Sequence, residues 1–117
     1  MKNMCIEICD AMNEIEGIET VESCSGHSKL TFRVSFTTWD GRCIYAILRA
    51  NDRRYGGPGW KCEISSTDIP RVCVIYSLES RTTGKSAYAE SRLIAKNIRE
   101  ILDDSAICDT FLVRRKR

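Results

Sequence analysis

The alternation from Leu30 to Thr37 constrains this chain more than any other stretch. Leu30, Phe32, Val34 and Phe36 take one parity, and Thr31, Arg33, Ser35 and Thr37 take the other. A period of two belongs to a strand with one buried face. Asp40-Gly41 follows, a dipeptide suited to a tight hairpin turn. Pairing across that turn predicts Phe36 opposite Tyr45 and Val34 opposite Ile47. The return segment, Arg42 to Arg49, carries apolar residues on both faces, Ile44, Ala46 and Leu48 included. That predicts a central strand.

The flanking segments extend this pattern. Residues 3–15 read as a helix, because Met4, Ile8, Ala11, Met12 and Ile15 recur at steps of three and four. Gly17 stands where helices often stop in a left-handed turn. Residues 18–23 then read as a short strand. Ala50 to Gly59 reads as a loop because it holds three glycines and a proline. Trp60, Cys62 and Ile64 alternate as a further strand, Ser65 to Pro70 is a turn, and Val72 to Ser77 is another strand. A second helix is expected from about Ala87 to Asp103, with Ile94, Ile98, Ile101 and Leu102 on its buried face. Asp104-Ser105 ends it, and Ile107 to Val113 reads as a last strand. The expected fold is α+β: a mainly antiparallel five- to six-stranded sheet with two helices packed on one face. Residues 1–113 form a single domain, and 114–117 are a basic C-terminal tail.

Composition excludes several classes. With 43% apolar and 29% charged residues among 117, the chain resembles neither a disordered segment nor a membrane span. No apolar run approaches the ~20 residues that a spanning helix needs. Met1-Lys2-Asn3-Met4 lacks the apolar core of a signal peptide. The expected location is therefore cytoplasmic, or the host cytoplasm for a phage-encoded protein, with no membrane partner. The formal charge is +2, but Arg114, Arg115, Lys116 and Arg117 supply four of the positives. The body carries fourteen basic against sixteen acidic residues, so bulk nucleic-acid binding is not expected and any anion site is a local cluster.

Seven cysteines occur, without a Cys-x-x-Cys pair. Most fall on apolar positions, where a free thiol packs as a small hydrophobe in a reducing compartment. Cys24 and His27 come closest to metal-ligand spacing, but two ligands do not hold zinc. No metal, cofactor or catalytic residue is expected. An imidazole can activate a thiol, yet no orienting carboxylate is evident from spacing.

Three stretches carry possible binding chemistry. Ser23-Cys24-Ser25-Gly26-His27-Ser28 holds the only histidine, and Ser25, Gly26 and His27 offer hydroxyl, backbone and imidazole contacts to phosphate or ribose. Thr82-Thr83-Gly84-Lys85-Ser86 opens the second helix. The triphosphatase pattern needs a glycine five residues before Gly84, and Glu79 stands there. What survives is a helix start whose unpaired N–H groups suit a phosphate, with Arg81, Thr83, Lys85 and Ser86 around it. The third stretch is Arg53-Arg54-Tyr55 with Trp60. Arg54 and Tyr55 suit packing on a base, since arginine pairs with phosphate or stacks and tyrosine stacks.

The run Gly17-Ile18-Glu19-Thr20-Val21-Glu22-Ser23-Cys24-Ser25-Gly26-His27, after a helix and before an aromatic strand, resembles a turn of the phage anti-Thoeris proteins. Those are small α+β oligomers that sequester cyclic ADP-ribose-type signals, and in some cases cyclic oligonucleotides, without cleaving them. The resemblance rests on size, element order and this turn, about a quarter of the chain. It implies a non-enzymatic protein that holds a small phosphate-bearing nucleotide in phage counter-defence. Ser23-Cys24-Ser25-Gly26 also resembles a turn of the wybutosine-synthesis tRNA methyltransferases, with His27 where that family has arginine. That likeness implies an RNA-modifying enzyme instead. A third alternative is a protein-binding inhibitor with no small ligand. A homo-oligomer is expected, because helices on one face leave the other sheet face bare and Trp39, Tyr55 and Trp60 lie near strand ends.

Overall fold

The computed structural model describes residues 4–26, 29–38, 41–68 and 73–117, without the side chains of 66–68 and 73. The chain runs through α1 (Ile6–Asn13), β1 (Ile18–Cys24), β2 (Thr31–Thr38), a 3₁₀ turn (Gly41–Ile44), α2 (Tyr45–Asn51), a second 3₁₀ turn (Arg53–Tyr55), β3 (Lys61–Asp68), β4 (Cys73–Thr83), α3 (Gly84–Asp103) and α4 (Ser105–Phe111). The four strands form one antiparallel sheet in the order β1-β2-β4-β3.

The α+β class is as expected. The count of elements differs: four strands and four α-helices stand among the described residues, not five or six strands and two helices. Arg42 to Arg49 is not a strand. It winds through the first 3₁₀ turn into α2, which buries Ala46, Ile47 and Ala50 and packs on α3. A segment apolar at nearly every position satisfies both periods, and contact with α3 selects the helical one. Phe36 accordingly faces Thr20 and Tyr76, not Tyr45, and Val34 faces Ser23 and Leu78, not Ile47. The Phe36 and Tyr76 rings stack with centroids 5.6 Å apart. Asp40 of the expected hairpin lies outside the described residues.

The expected last strand is a helix as well. Asp104 ends α3 and also starts α4, its carboxylate accepting from the N–H groups of Ala106 and Ile107 at 3.1 Å each. An aspartate in that position is a strong N-cap. The expected turn at Ser65 is part of β3, which continues to Asp68. The expected loop from Ala50 contains the end of α2 and the second 3₁₀ turn.

The core lies between the sheet and the helices. Phe32, Val34, Phe36 and Leu78 from the strands meet Ile8 and Met12 of α1, Ile47 of α2, and Ile94 and Ile98 of α3, all fully buried or nearly so. Truncating a buried phenylalanine such as Phe36 to alanine costs about 3–5 kcal/mol. The opposite sheet face is polar. Register places Cys24, Arg33, Glu79 and Lys61 in one row and Glu22, Ser35, Ser77 and Glu63 in the next. Ser35 and Ser77 share a hydrogen bond of 3.1 Å there.

The basic C-terminus packs on the domain. Arg115 pairs with Ile15 as an isolated bridge and reaches Asp103 at 3.0 Å. Lys116 donates its backbone N–H to Glu14 O and its Nζ to Ile18 O, both at 2.7 Å. Among the described residues, no helix is long and apolar enough to cross a membrane.

Candidate functional site

The loop from Asn51 to Trp60 is built on one buried amide. Asn51 closes α2, and its side chain grips the backbone of Trp60 from both sides: Nδ2 donates to Trp60 O at 2.8 Å, and Oδ1 accepts from Trp60 N at 2.7 Å. The Asn51 carbonyl accepts from Gly59 N at 2.8 Å. The intervening residues are folded back so tightly that a Cβ on Gly57 would sit 2.2 Å from the Asn51 carbonyl carbon. Only glycine fits there. Trp60 Nε1 and Thr82 Oγ1 both donate to Glu90 Oε1, at 2.9 and 2.8 Å, which ties the loop to β4 and α3.

This frame positions four guanidinium groups. Arg53 Nε donates to Pro58 O at 3.3 Å, and Arg81 Nε donates to Gly59 O at 3.0 Å. Arg53 lies across Gly59 so closely that a Cβ there would meet its Nε at 2.3 Å. Gly59 also has φ of +74°, a conformation that an L side chain strains to adopt. Arg49 Cζ sits over the Tyr55 ring, 4.0 Å from its centroid, and Nη1 donates to the Tyr45 hydroxyl at 2.9 Å. The Tyr45 bond is the main reason its guanidinium holds its proton more tightly than usual. Arg54 closes on Asp52 at 2.7 Å and holds that carboxyl below its ordinary range.

Together these residues line a surface groove of about 660 Å³, walled by Tyr45, Arg49, Arg53, Arg54, Tyr55, Gly59 and Arg81 among others. Asp52 is the one carboxylate in its walls, and Arg54 already occupies it. Among the described residues, no carboxylate lies within ion-pair distance of Arg49, Arg53 or Arg81. Guanidinium is a donor only and stays charged at every physiological pH. The arrangement therefore suits an anion, with the exposed Tyr55 ring beside it for a flat group, while Tyr45 is stacked on Phe111 with centroids 3.8 Å apart.

Two of the three expected stretches meet here. Arg54 and Tyr55 from one and Arg81 from another line the same groove. Thr83 precedes α3 without a side-chain cap bond, and Lys85 and Ser86 are exposed in its first turn, outside the groove walls. Ser25 and Gly26 follow β1. Gly26 has φ of +72°, its carbonyl accepts from Lys29 and Leu30, and a Cβ on it would meet Thr31 O at 2.9 Å. Thr31 in turn pairs with Thr83. All three stretches thus lie at one end of the sheet, with the serine-glycine turn beside the α3 start and the arginine groove beyond it. His27 lies outside the described residues.

Sequence reasoning missed Arg49 and Tyr45 because it read their segment as a strand. The signal was their spacing of four, which places both on one side of a helix. Cys5, Cys9, Cys24, Cys43, Cys62 and Cys108 are not in disulfides. Burial pushes Cys5 up to about 12 and raises Cys9, Cys62 and Cys108. Cys5 lies in the core, and Cys9, Cys62 and Cys108 pack against it. No group of three or more His, Cys, Asp or Glu placed to hold a metal occurs among the described residues.

Fold and groove together define a class: an α+β protein with an open antiparallel sheet and an arginine-tyrosine groove at one end of it. Comparison with known proteins adds nothing more specific, since no family model, no curated protein and no solved structure matches this chain.

Proposed function

We propose that this protein binds a small phosphate-bearing nucleotide in the arginine groove and acts by holding it, without cleaving it. One observation carries the reading. Arg53 and Arg81 are both anchored at the Pro58-Gly59 backbone through Nε, and among the described residues the only carboxylate in the groove walls is Asp52, which pairs with Arg54. Like charges held together this way repel, and an incoming phosphate relieves that repulsion while taking charge-assisted bonds from their remaining N–H groups. Tyr55 is 54% exposed and has one face covered by Arg49, so its other face is the one offered to a base or ribose; Tyr45 is stacked on Phe111. The groove volume lies in the range of small-ligand sites. Sequestration of a cyclic ADP-ribose-type or cyclic oligonucleotide signal, as in phage counter-defence, is the biological setting that the turn at Ser23 to His27 suggests. In this setting Ser25, Gly26, Thr83, Lys85 and Ser86 contribute secondary contacts from the same end of the sheet, beside the groove.

Calorimetric titration with ADP, cyclic ADP-ribose and a cyclic dinucleotide tests the proposal. Bound ligand is then released by heating and identified by mass. Unchanged ligand supports holding. A converted nucleotide, or methyl transfer to tRNA, replaces it with an enzyme reading. No heat with any nucleotide favours a protein-binding inhibitor. Arg53→Ala and Arg81→Ala should each weaken binding about 10- to 100-fold, the loss of one charge-assisted contact worth roughly 1.5–3 kcal/mol.

A further inference from the structure

The sheet has two edges, and they are not equivalent. The β1 edge is interrupted by a bulge between Thr20 and Glu22, and Lys116 Nζ sits on the Ile18 carbonyl at its start. The β3 edge has a bulge too, between Ile64 and Ser66, but its register is regular from Lys61 to Ile64. Lys61, Glu63, Ile64 and Ser65 are exposed. Ile64 points to the helix side of the sheet, opposite Tyr76, yet remains 63% exposed. A strand edge of this kind presents unpaired N–H and C=O groups to any strand that fits it.

What fits is set by the charge pattern. Lys61 and Glu63 flank Cys62 on the same, open face of the sheet, in line with Glu79 and Ser77. Within one chain they pair only loosely, Lys61 Nζ 3.9 Å from Glu63 Oε1 with both side chains more than half exposed, so both can turn to a second strand. In an antiparallel pair, directly opposed residues share a face. A two-fold axis through Cys62, perpendicular to the sheet, therefore places Lys61 of one copy opposite Glu63 of the other, twice. The same register puts Ile64 diagonal to Cys62 of the second copy, where its exposed side chain gains apolar cover. The bulge between Ile64 and Ser66 ends the pairing.

We propose that β3 pairs antiparallel with β3 of a second copy about a two-fold axis at Cys62, joining two four-stranded sheets into one. The contact is isologous and closes on itself. The obstructed β1 edges stop further growth, so the product is a dimer and not a filament. A lysine on an edge normally repels strand addition, but here it selects one partner, because the opposing position carries the complementary charge. The pairing is short, so the dimer belongs to the small, weak class of interface.

Light scattering or sedimentation at about 100 μM, where an interface of the weak class is populated, gives the test. The wild-type protein should show twice the 13.3 kDa chain mass. Lys61→Glu sets Glu opposite Glu, and Glu63→Lys sets Lys opposite Lys; each should return a monomer. The double variant Lys61→Glu with Glu63→Lys restores both pairs and should return the dimer. A wild-type monomer at this concentration overturns the proposal. So does a dimer that either single substitution leaves intact, or a double variant that stays monomeric while its circular dichroism matches the wild type.

Discussion

Asn51→Ala is the most informative single change to the loop that holds the arginines. It removes both side-chain bonds to Trp60, the 2.8 Å bond to its carbonyl and the 2.7 Å bond from its N–H. Trp60 is 3% exposed, so water does not replace the lost partners at once. A buried polar group left unpaired costs about 1–3 kcal/mol, and two are orphaned here. The expected loss is about 3 kcal/mol, a large fraction of the stability of a domain this size. Urea denaturation followed by tryptophan fluorescence measures it as a lower midpoint at unchanged slope. The same variant should lose nucleotide binding in proportion to the disorder of Pro58 and Gly59, whose carbonyls hold Arg53 and Arg81. Asn51→Asp sharpens the test: it keeps the acceptor for Trp60 N–H but faces the Trp60 carbonyl with a carboxylate, and should destabilise comparably. A loss below about 0.5 kcal/mol for Asn51→Ala, the range of ordinary surface substitutions, would refute the claim that this amide organises the loop.

Other outcomes follow from the same geometry. Gly59→Ala forces a Cβ into Arg53 at a positive φ and should weaken nucleotide binding about 10-fold or more by displacing that guanidinium, read by calorimetry beside a thermal melt. Lys85→Ala, at the α3 start and outside the groove walls, should weaken binding less than Arg81→Ala; the reverse order would move the phosphate to the helix start. Cys5 has its folded pKa raised to about 12 from the ordinary 9.0, so the folded state retains a proton that the unfolded chain gives up. Stability should therefore fall as pH rises from about 9 toward 12, by up to about 1.4 kcal/mol per pH unit from this group, and Cys5→Ala should flatten that alkaline slope in denaturation curves. Cys24 is exposed while Cys5 is fully buried, so a thiol reagent on the native protein should label Cys24 well before Cys5, as peptide mapping reports.

The strands on either side of the core were legible wherever one face is wet and the other dry. Phe32, Val34 and Phe36 alternate with Arg33, Ser35 and Thr37, and only a strand puts the first set on the helix side and the second on the polar face, where Ser35 is itself buried against Ser77. The long helix was legible for the same reason, since Ile94, Ile98 and Ile101 keep one stripe among charged neighbours. Arg42 to Arg49 and Ile107 to Val113 were not legible as helices. Both are short and apolar at many positions, so their periodicity fits either state; the packing of α2 on α3 decided one, and the Asp104 cap decided the other. The arginine site divides in the same way. Local sequence contains Arg53, Arg54, Tyr55 and the glycines that let the loop fold back, because turn chemistry is local. Arg49 and Arg81 reach that loop from 4 and 28 positions away from Arg53, counted along the chain, and only the tertiary structure sets their guanidiniums beside Tyr55 and Gly59. Periodicity reports which face of an element is buried, but the convergence of like charges from separate elements depends on how those elements pack.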